Sequence, residues 1–156
     1  MTTKNTYALV LKRSLAVGVA ALGLAAGAAH ARDTVLQIPL ADVLAMPEAQ
    51  GKLDGSVKFF LAGAKTPRIE KRMGSDSSNQ KTNGVGKDDE FGCKWAALSA
   101  LIQFQNSAKR QGANAVVDLV SYYKKNETRS DTTIECHAGN VIIGVALKGT
   151  YANVAN

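Results

Sequence analysis

The chain has 156 residues, 46% of them apolar, with 19 Lys and Arg, 13 Asp and Glu, two Cys and one Trp, which predicts one compact domain and excludes a multidomain machine or a long disordered chain. Three of the basic residues, Lys4, Lys12 and Arg13, lie within residues 1–31. Setting them aside leaves 16 basic against 13 acidic residues; a balance of +3 over 32–156 supplies no cationic stripe for a run of phosphates, which argues against nucleic acid as a partner.

Residues 1–31 combine that basic start with an apolar stretch from Ser14 to Ala28 and the small-residue ending Ala29-His30-Ala31. This is the three-part pattern of a secretory signal peptide, with cleavage expected after Ala31. The apolar run falls short of the roughly 20 residues that span a bilayer, so stable membrane insertion after cleavage is not expected. No Cys precedes Cys93, so no lipid-bearing thiol is present. A periplasmic or secreted protein made of a single α+β domain over 32–156 is the expectation. In an oxidising compartment its only two thiols, Cys93 and Cys136, are expected to pair. Closing a loop of about 44 residues contributes about 4 kcal/mol by restricting the unfolded chain. The wide spacing, without a Cys-x-x-Cys motif, argues for a structural cross-link over a redox-catalytic one.

Along the mature chain, residues 34–56 hold an apolar segment in which Pro39 opens a short helix through Leu40, Val43 and Leu44, with Pro47 and Gly51 breaking or capping it. Val57 to Gly63 reads as a first strand with Val57, Phe59 and Leu61 on one face. From 64 to 90 the text is polar, with only Ile69, Met73 and Val85 as apolar anchors, and predicts a long polar loop. Arg68, Arg72, Lys81 and Lys87 in this stretch are candidate partner contacts, against the plainer account of a solvated loop face.

Leu98, Leu101, Ile102, Gln105 and Ala108 then recur at helical spacing. Asp88, Asp89 and Glu90 suit the positive end of a helix dipole, Lys109 and Arg110 the negative end, and Gly112 a left-handed stop. The pattern predicts an amphipathic helix from about Lys94 to Gln111, with Trp95 and Phe104 packed toward a sheet. Ala113 to Lys125 reads as a central strand with Ala115, Val117, Leu119 and Tyr123 on one face and Val116, Asp118, Val120 and Tyr122 on the other. Thr132 to Ala138 alternates again, Gly139-Asn140 turns, and Val141 to Val154 is a last long strand. The order short helix, strand, polar loop, helix, strand, strand, strand predicts an α+β two-layer sandwich, a small sheet covered by one main helix and stapled by the disulfide.

The text from Gly112 onward, GANAVVDLVSYYKK, then ECHAG, then VIIGVALKGTYANV, resembles small bacterial envelope proteins related in fold to the Rcs envelope-stress sensor and to YbjQ-like domains. That resemblance implies a helix leading into the Gly-Ala-Asn-Ala strand, a final strand at Ile143-Gly144-Val145-Ala146-Leu147, and a long-range bridge matching Cys93 with Cys136. The sensor's second bridge and its lipid-bearing cysteine have no counterpart here. The signal ending in Ala-x-Ala-Arg-Asp, at Ala29 to Asp33, also resembles short exported proteobacterial proteins that often carry the name excinuclease ATPase subunit.

The residues give that name no chemistry. The nearest phosphate-cradle text, Gly84-Val85-Gly86-Lys87-Asp88, has Lys81 where a P-loop needs Gly and Asp88 where it needs Ser or Thr, and no preceding strand is evident. Two cysteines are too few for the zinc clusters of a repair subunit. No cofactor is therefore expected.

Glu135 and His137 alternate outward on one strand and, with Asp118 or Asp131, are a candidate metal set. His137 with Ser121 or Ser130 is a candidate catalytic pair, without a nucleophile-elbow pattern in support. Tyr122-Tyr123-Lys124-Lys125 is not expected to form one stacking platform, because alternation separates the tyrosines. Two functions follow from different classes: a non-enzymatic envelope protein that binds an envelope partner, stress-sensor-like, or a small periplasmic hydrolase or metal-binding protein centred on His137.

Overall fold

The computed structural model describes residues 32–155; the expected leader and its cleavage point after Ala31 lie outside them. Strand β1 (Thr34–Pro39) is followed by two short helices, α1 (Leu40–Leu44) and α2 (Pro47–Gln50), strands β2 (Lys58–Leu61) and β3 (Ile69–Asn83), and the long helix α3 (Asp89–Gln111). Strand β4 (Ala115–Ser121), a single 3-10 turn (Tyr123–Lys125), β5 (Thr133–Ala138) and β6 (Ile142–Val154) complete the chain. The α+β class and the single covering helix are as the sequence predicts. The sheet has six strands rather than four, in the order β1-β5-β6-β4-β2 with β3 paired to β6. It is mixed, because β2 runs parallel to β4.

Helix α3 starts earlier than its apolar periodicity suggests. The Asp88 carboxylate accepts the Phe91 N–H at 2.9 Å, so Asp88 is the N-cap and the acidic residues occupy the first turn. Gly112 ends the helix at φ 70°, a backbone state that glycine adopts without cost. Leu98, Leu101, Phe104 and Ala108 are buried in one core with Val116, Leu119, Ile143, Val145, Leu147 and Tyr151. Gln105 sits in this apolar surface and is itself buried. Its amide accepts the Asp54 N–H and donates to the Lys52 carbonyl, so it ties the segment after α2 to the helix with its polar atoms satisfied. The Cys93–Cys136 disulfide joins the second turn of α3 to β5, both residues fully buried.

Three readings of the sequence are corrected. The polar text of 64–90 is not a loop: β3 occupies Ile69–Asn83 and pairs antiparallel with β6 from Ile69↔Val154 to Asn83↔Ile142. An edge strand takes its stability from backbone hydrogen bonds to one neighbour and needs no apolar alternation of its own. Its inward positions are met by polar partners, as Ser78 and Gln80 both donate to the Gln103 side chain of α3 at 2.7 and 2.6 Å. Strand β1 was hidden in the segment read as helix-forming; it pairs with β5 from Thr34↔Ala138 to Pro39↔Thr133, after which Pro39 precedes α1 as expected.

The facing pattern of β4 is the third correction. Pairing to β6 passes from Val117↔Thr150 to Val120↔Lys148, and pairing to β2 from Phe59↔Val116 to Leu61↔Leu119, so both neighbours skip one residue. Asp118, at φ 51°, is the extra residue of this bulge. The bulge turns Val116 and Leu119 to the same core as α3, while Ala115 and Val117 join Ala152 and Val154 in a second cluster with Phe60 and Ile69. The strand also ends at Ser121, because Lys124 and Lys125 adopt φ values of 49° and 65° and turn the chain.

Candidate functional site

On the sheet face away from α3, directly paired residues form a row across four strands: Val35 on β1, His137 on β5, Gly144 on β6 and Lys81 on β3. Directly paired residues point to the same face of a sheet. Around this row lies a groove of about 610 Å³ lined by, among others, Arg32, Asp33, Asn79, Lys81, Tyr123, Lys124 and His137. That is the size range of small-ligand sites.

His137 is the centre of a clamp. Its Nδ1 lies 2.8 Å from an Asp33 carboxylate oxygen and its Nε2 lies 3.1 Å from one of Glu135. The Tyr123 ring stacks on the imidazole at a centroid distance of 3.4 Å and 14° between planes. The Lys124 ammonium lies 5.0 Å from the centre of the Tyr123 ring. Tyr122, at φ −135° and ψ 40°, takes the chain out of the β4 line before Tyr123, and Lys124 and Lys125 continue the turn in left-handed backbone.

Both imidazole nitrogens are thus occupied by carboxylates, and neither faces a serine. The Ser121 hydroxyl accepts the Glu135 backbone N–H at 2.8 Å, and the Ser130 hydroxyl lies 3.0 Å from that of Thr133. The carboxylates considered as metal partners are also elsewhere: Asp118 is ion-paired to Arg72, and Asp131 lines a separate cleft with Leu40 and Phe60. Among the described residues, no group of three or more His, Cys, Asp or Glu side chains is arranged to hold a metal ion.

The four candidate contact cations are distributed along β3 and its ends. Arg68 pairs with Glu70 at 3.2 Å, and Arg72 pairs with Asp118. Lys81 lines the groove, and Lys87 lies in the turn before α3. At a rise of roughly 3.3 Å per residue, Arg68 and Lys81 lie roughly 40 Å apart along the strand, so the four do not form one patch. The residues that sequence reading missed are Asp33, Tyr123 and Gly144. Asp33 is 104 positions from His137, and only the β1–β5 register brings it there.

The Gly84–Asp88 text does have a strand before it and a helix after it, which corrects the expectation that no strand precedes it. Its phosphate position is nevertheless filled from within, because the Asp88 carboxylate takes the helix N–H group that a phosphate would need.

No helix among the described residues is long and apolar enough to cross a membrane. Comparison with family models, with curated proteins and with solved structures finds no match to this chain. The described residues define a disulfide-linked α+β domain with a helix on one sheet face and a polar groove on the other.

Proposed function

We propose that this chain is an exported, non-enzymatic envelope protein that binds a partner protein, and that the partner adds a strand to the outer edge of β3. The observation that carries the reading is that β3 is paired on one side only, by β6, among the described residues. From Ser75 to Asn83 this pairing is continuous, so the outer edge is also unbroken.

The alternation of strand hydrogen bonds identifies which groups face out. The carbonyls of Ala146 and Ala152 bond to Tyr122 and Asn114, on the β4 side of β6, so Val145 and Leu147 bond toward β3. Their partners Gln80 and Ser78 therefore bond inward, and Asn79 and Lys81 present their N–H and C=O groups to the outside together with the Ser77 carbonyl, the Ser77 N–H being taken by the Asp76 carboxylate at 2.8 Å. Such an edge is the template used in β-strand addition, where main-chain bonds give affinity and side chains give selectivity. The exported location rests on the leader pattern and the disulfide. The stress-sensor-like role is carried only by the C-terminal resemblance, and the doubly clamped His137 gives the hydrolase and metal readings no support.

The test is photocrosslinking in intact cells from residue 77, comparing the unaltered protein with Asn79→Pro and Arg68→Ala. Proline at 79 removes only an outward N–H, which an edge strand tolerates. A discrete crosslinked protein that is lost in Asn79→Pro, with an unchanged urea midpoint, is expected. A crosslink that survives Asn79→Pro, or none from residue 77 of the unaltered protein, would overturn the proposal.

A further inference from the structure

We propose that the groove over Gly144 binds a small phosphate ester through Lys81 and Lys124. Three glycines of β6 and α3 show why Gly144 is informative. A Cβ at Gly92 would lie 2.4 Å from the tip of Ile143, and one at Gly149 would lie 2.7 Å from Val116, so at both a buried neighbour would have to shift. At Gly144 a Cβ would meet only Lys81 and Gln80, at 3.5 and 3.6 Å, which is ordinary contact, and its φ is not in the left-handed region. Neither packing nor backbone conformation demands glycine there. Glycine within a strand is destabilising relative to alanine, and one of its uses is to let a ligand approach the backbone. What Gly144 provides is a notch between His137 and Lys81, its cross-strand neighbours on either side.

The charges around the notch select the ligand. Arg32, Lys81 and Lys124 line the groove against one lining carboxylate, that of Asp33. Arg32 is ion-paired to Asp89, while Lys81 and Lys124 have no carboxylate within ion-pair distance among the described residues. Lys124 is held in a left-handed conformation, at φ 49°, a strain of the kind that accumulates at ligand clamps. Two ammonium groups free of carboxylate partners can each serve a compact phosphate as a point charge, the way lysine binds phosphate. Asp33 and Asn79 supply an acceptor and an amide for hydroxyl groups on the rest of the ligand. A glycerol phosphate or sugar phosphate has this chemistry, whether it is free or the head group of a lipid.

The experiment is calorimetric titration of the exported protein with sn-glycerol 3-phosphate, alongside sedimentation with phosphatidylglycerol vesicles and with phosphatidylcholine vesicles. Saturable binding of the free ester supports the site with a soluble ligand. Binding to phosphatidylglycerol vesicles alone supports it with a lipid head group. In either arm Gly144→Val, which fills the notch with a strand-forming side chain, and the double variant Lys81→Ala/Lys124→Ala are each expected to weaken binding at least about tenfold. Urea midpoints show that the variants fold, and Gly144→Ala serves if Gly144→Val does not. No binding of ester or vesicle at concentrations up to about 10 mM, or binding indifferent to these substitutions, would overturn the proposal. Strand addition at β3 is read by crosslinking and does not depend on this result.

Discussion

Reduction of the Cys93–Cys136 bond should lower stability by about 4 kcal/mol, because it releases a loop whose ends are 43 residues apart in sequence. On the chain-entropy model the bond removes about 13 cal/mol/K from the unfolded ensemble, which at 298 K is about 4 kcal/mol. That is a large fraction of the roughly 5–15 kcal/mol by which a domain of this kind is stable. Both sulfurs are fully buried in the core, so substitution would add a cavity effect that reduction avoids. The assay is urea unfolding of the oxidised protein and of the same protein kept reduced by a phosphine. With a slope of about 1.5 kcal/mol/M, the midpoint should fall by between roughly 2 and 3 M. The slope itself should rise, since the reduced unfolded chain exposes more surface. A fall equivalent to less than about 1 kcal/mol would refute the reasoning, because it would show that the cross-link does not restrict the unfolded chain as the loop length requires.

Hydrogen exchange should alternate along β3: the amides of Ser78 and Gln80 are expected to be slow and those of Asn79 and Lys81 fast, and uniform fast exchange would restore the loop reading of 64–90. Gly149→Ala should destabilise by about 1–3 kcal/mol through overpacking against Val116 and Leu119, whereas Gly144→Ala should be neutral or gain up to about 1 kcal/mol; urea midpoints of the pair decide it. Burial raises the Tyr151 phenol above its ordinary value of 10.0. The unfolded chain therefore ionises there first, and this contribution to stability is full below about pH 10 and lost as pH rises through the folded value. Tyr151→Phe should flatten the fall in stability between about pH 9 and pH 11, measured by urea unfolding against the unaltered protein; an identical fall in both would show that Tyr151 does not titrate differently in the folded state.

The elements legible in the sequence are those whose signal is local. Lys109, Arg110 and Gly112 mark the end of α3 where it stops, and the acidic residues from Asp88 mark its positive end, although the apolar periodicity put the start five residues late, at Lys94. The Gly139-Asn140 turn is read from its two residues, as it joins β5 directly to β6. Strand β3 carries no such signal, since its inward side chains are serine, glutamine and threonine satisfied by Gln103 or left half-buried. The facing of β4 was misread for a different reason: a period-two pattern cannot reveal that Asp118 adds one residue to the strand. At the candidate site His137 and Glu135 are visible as a pair two residues apart, while Asp33, just before β1, and Lys81 on β3 come from segments that no local pattern aligns with them.

The amino-acid order alone determined the existence and C-terminal stop of the main helix, the identity of the only two thiols available to each other and the apolar run that becomes β6, because capping, covalent chemistry and side-chain periodicity act over neighbouring residues. The tertiary structure decided that a polar stretch becomes the longest strand and that His137 lies between Asp33 and Glu135. Backbone groups pair with whatever strand packing brings alongside, and register over a hundred residues is set by the shared core rather than by any one segment.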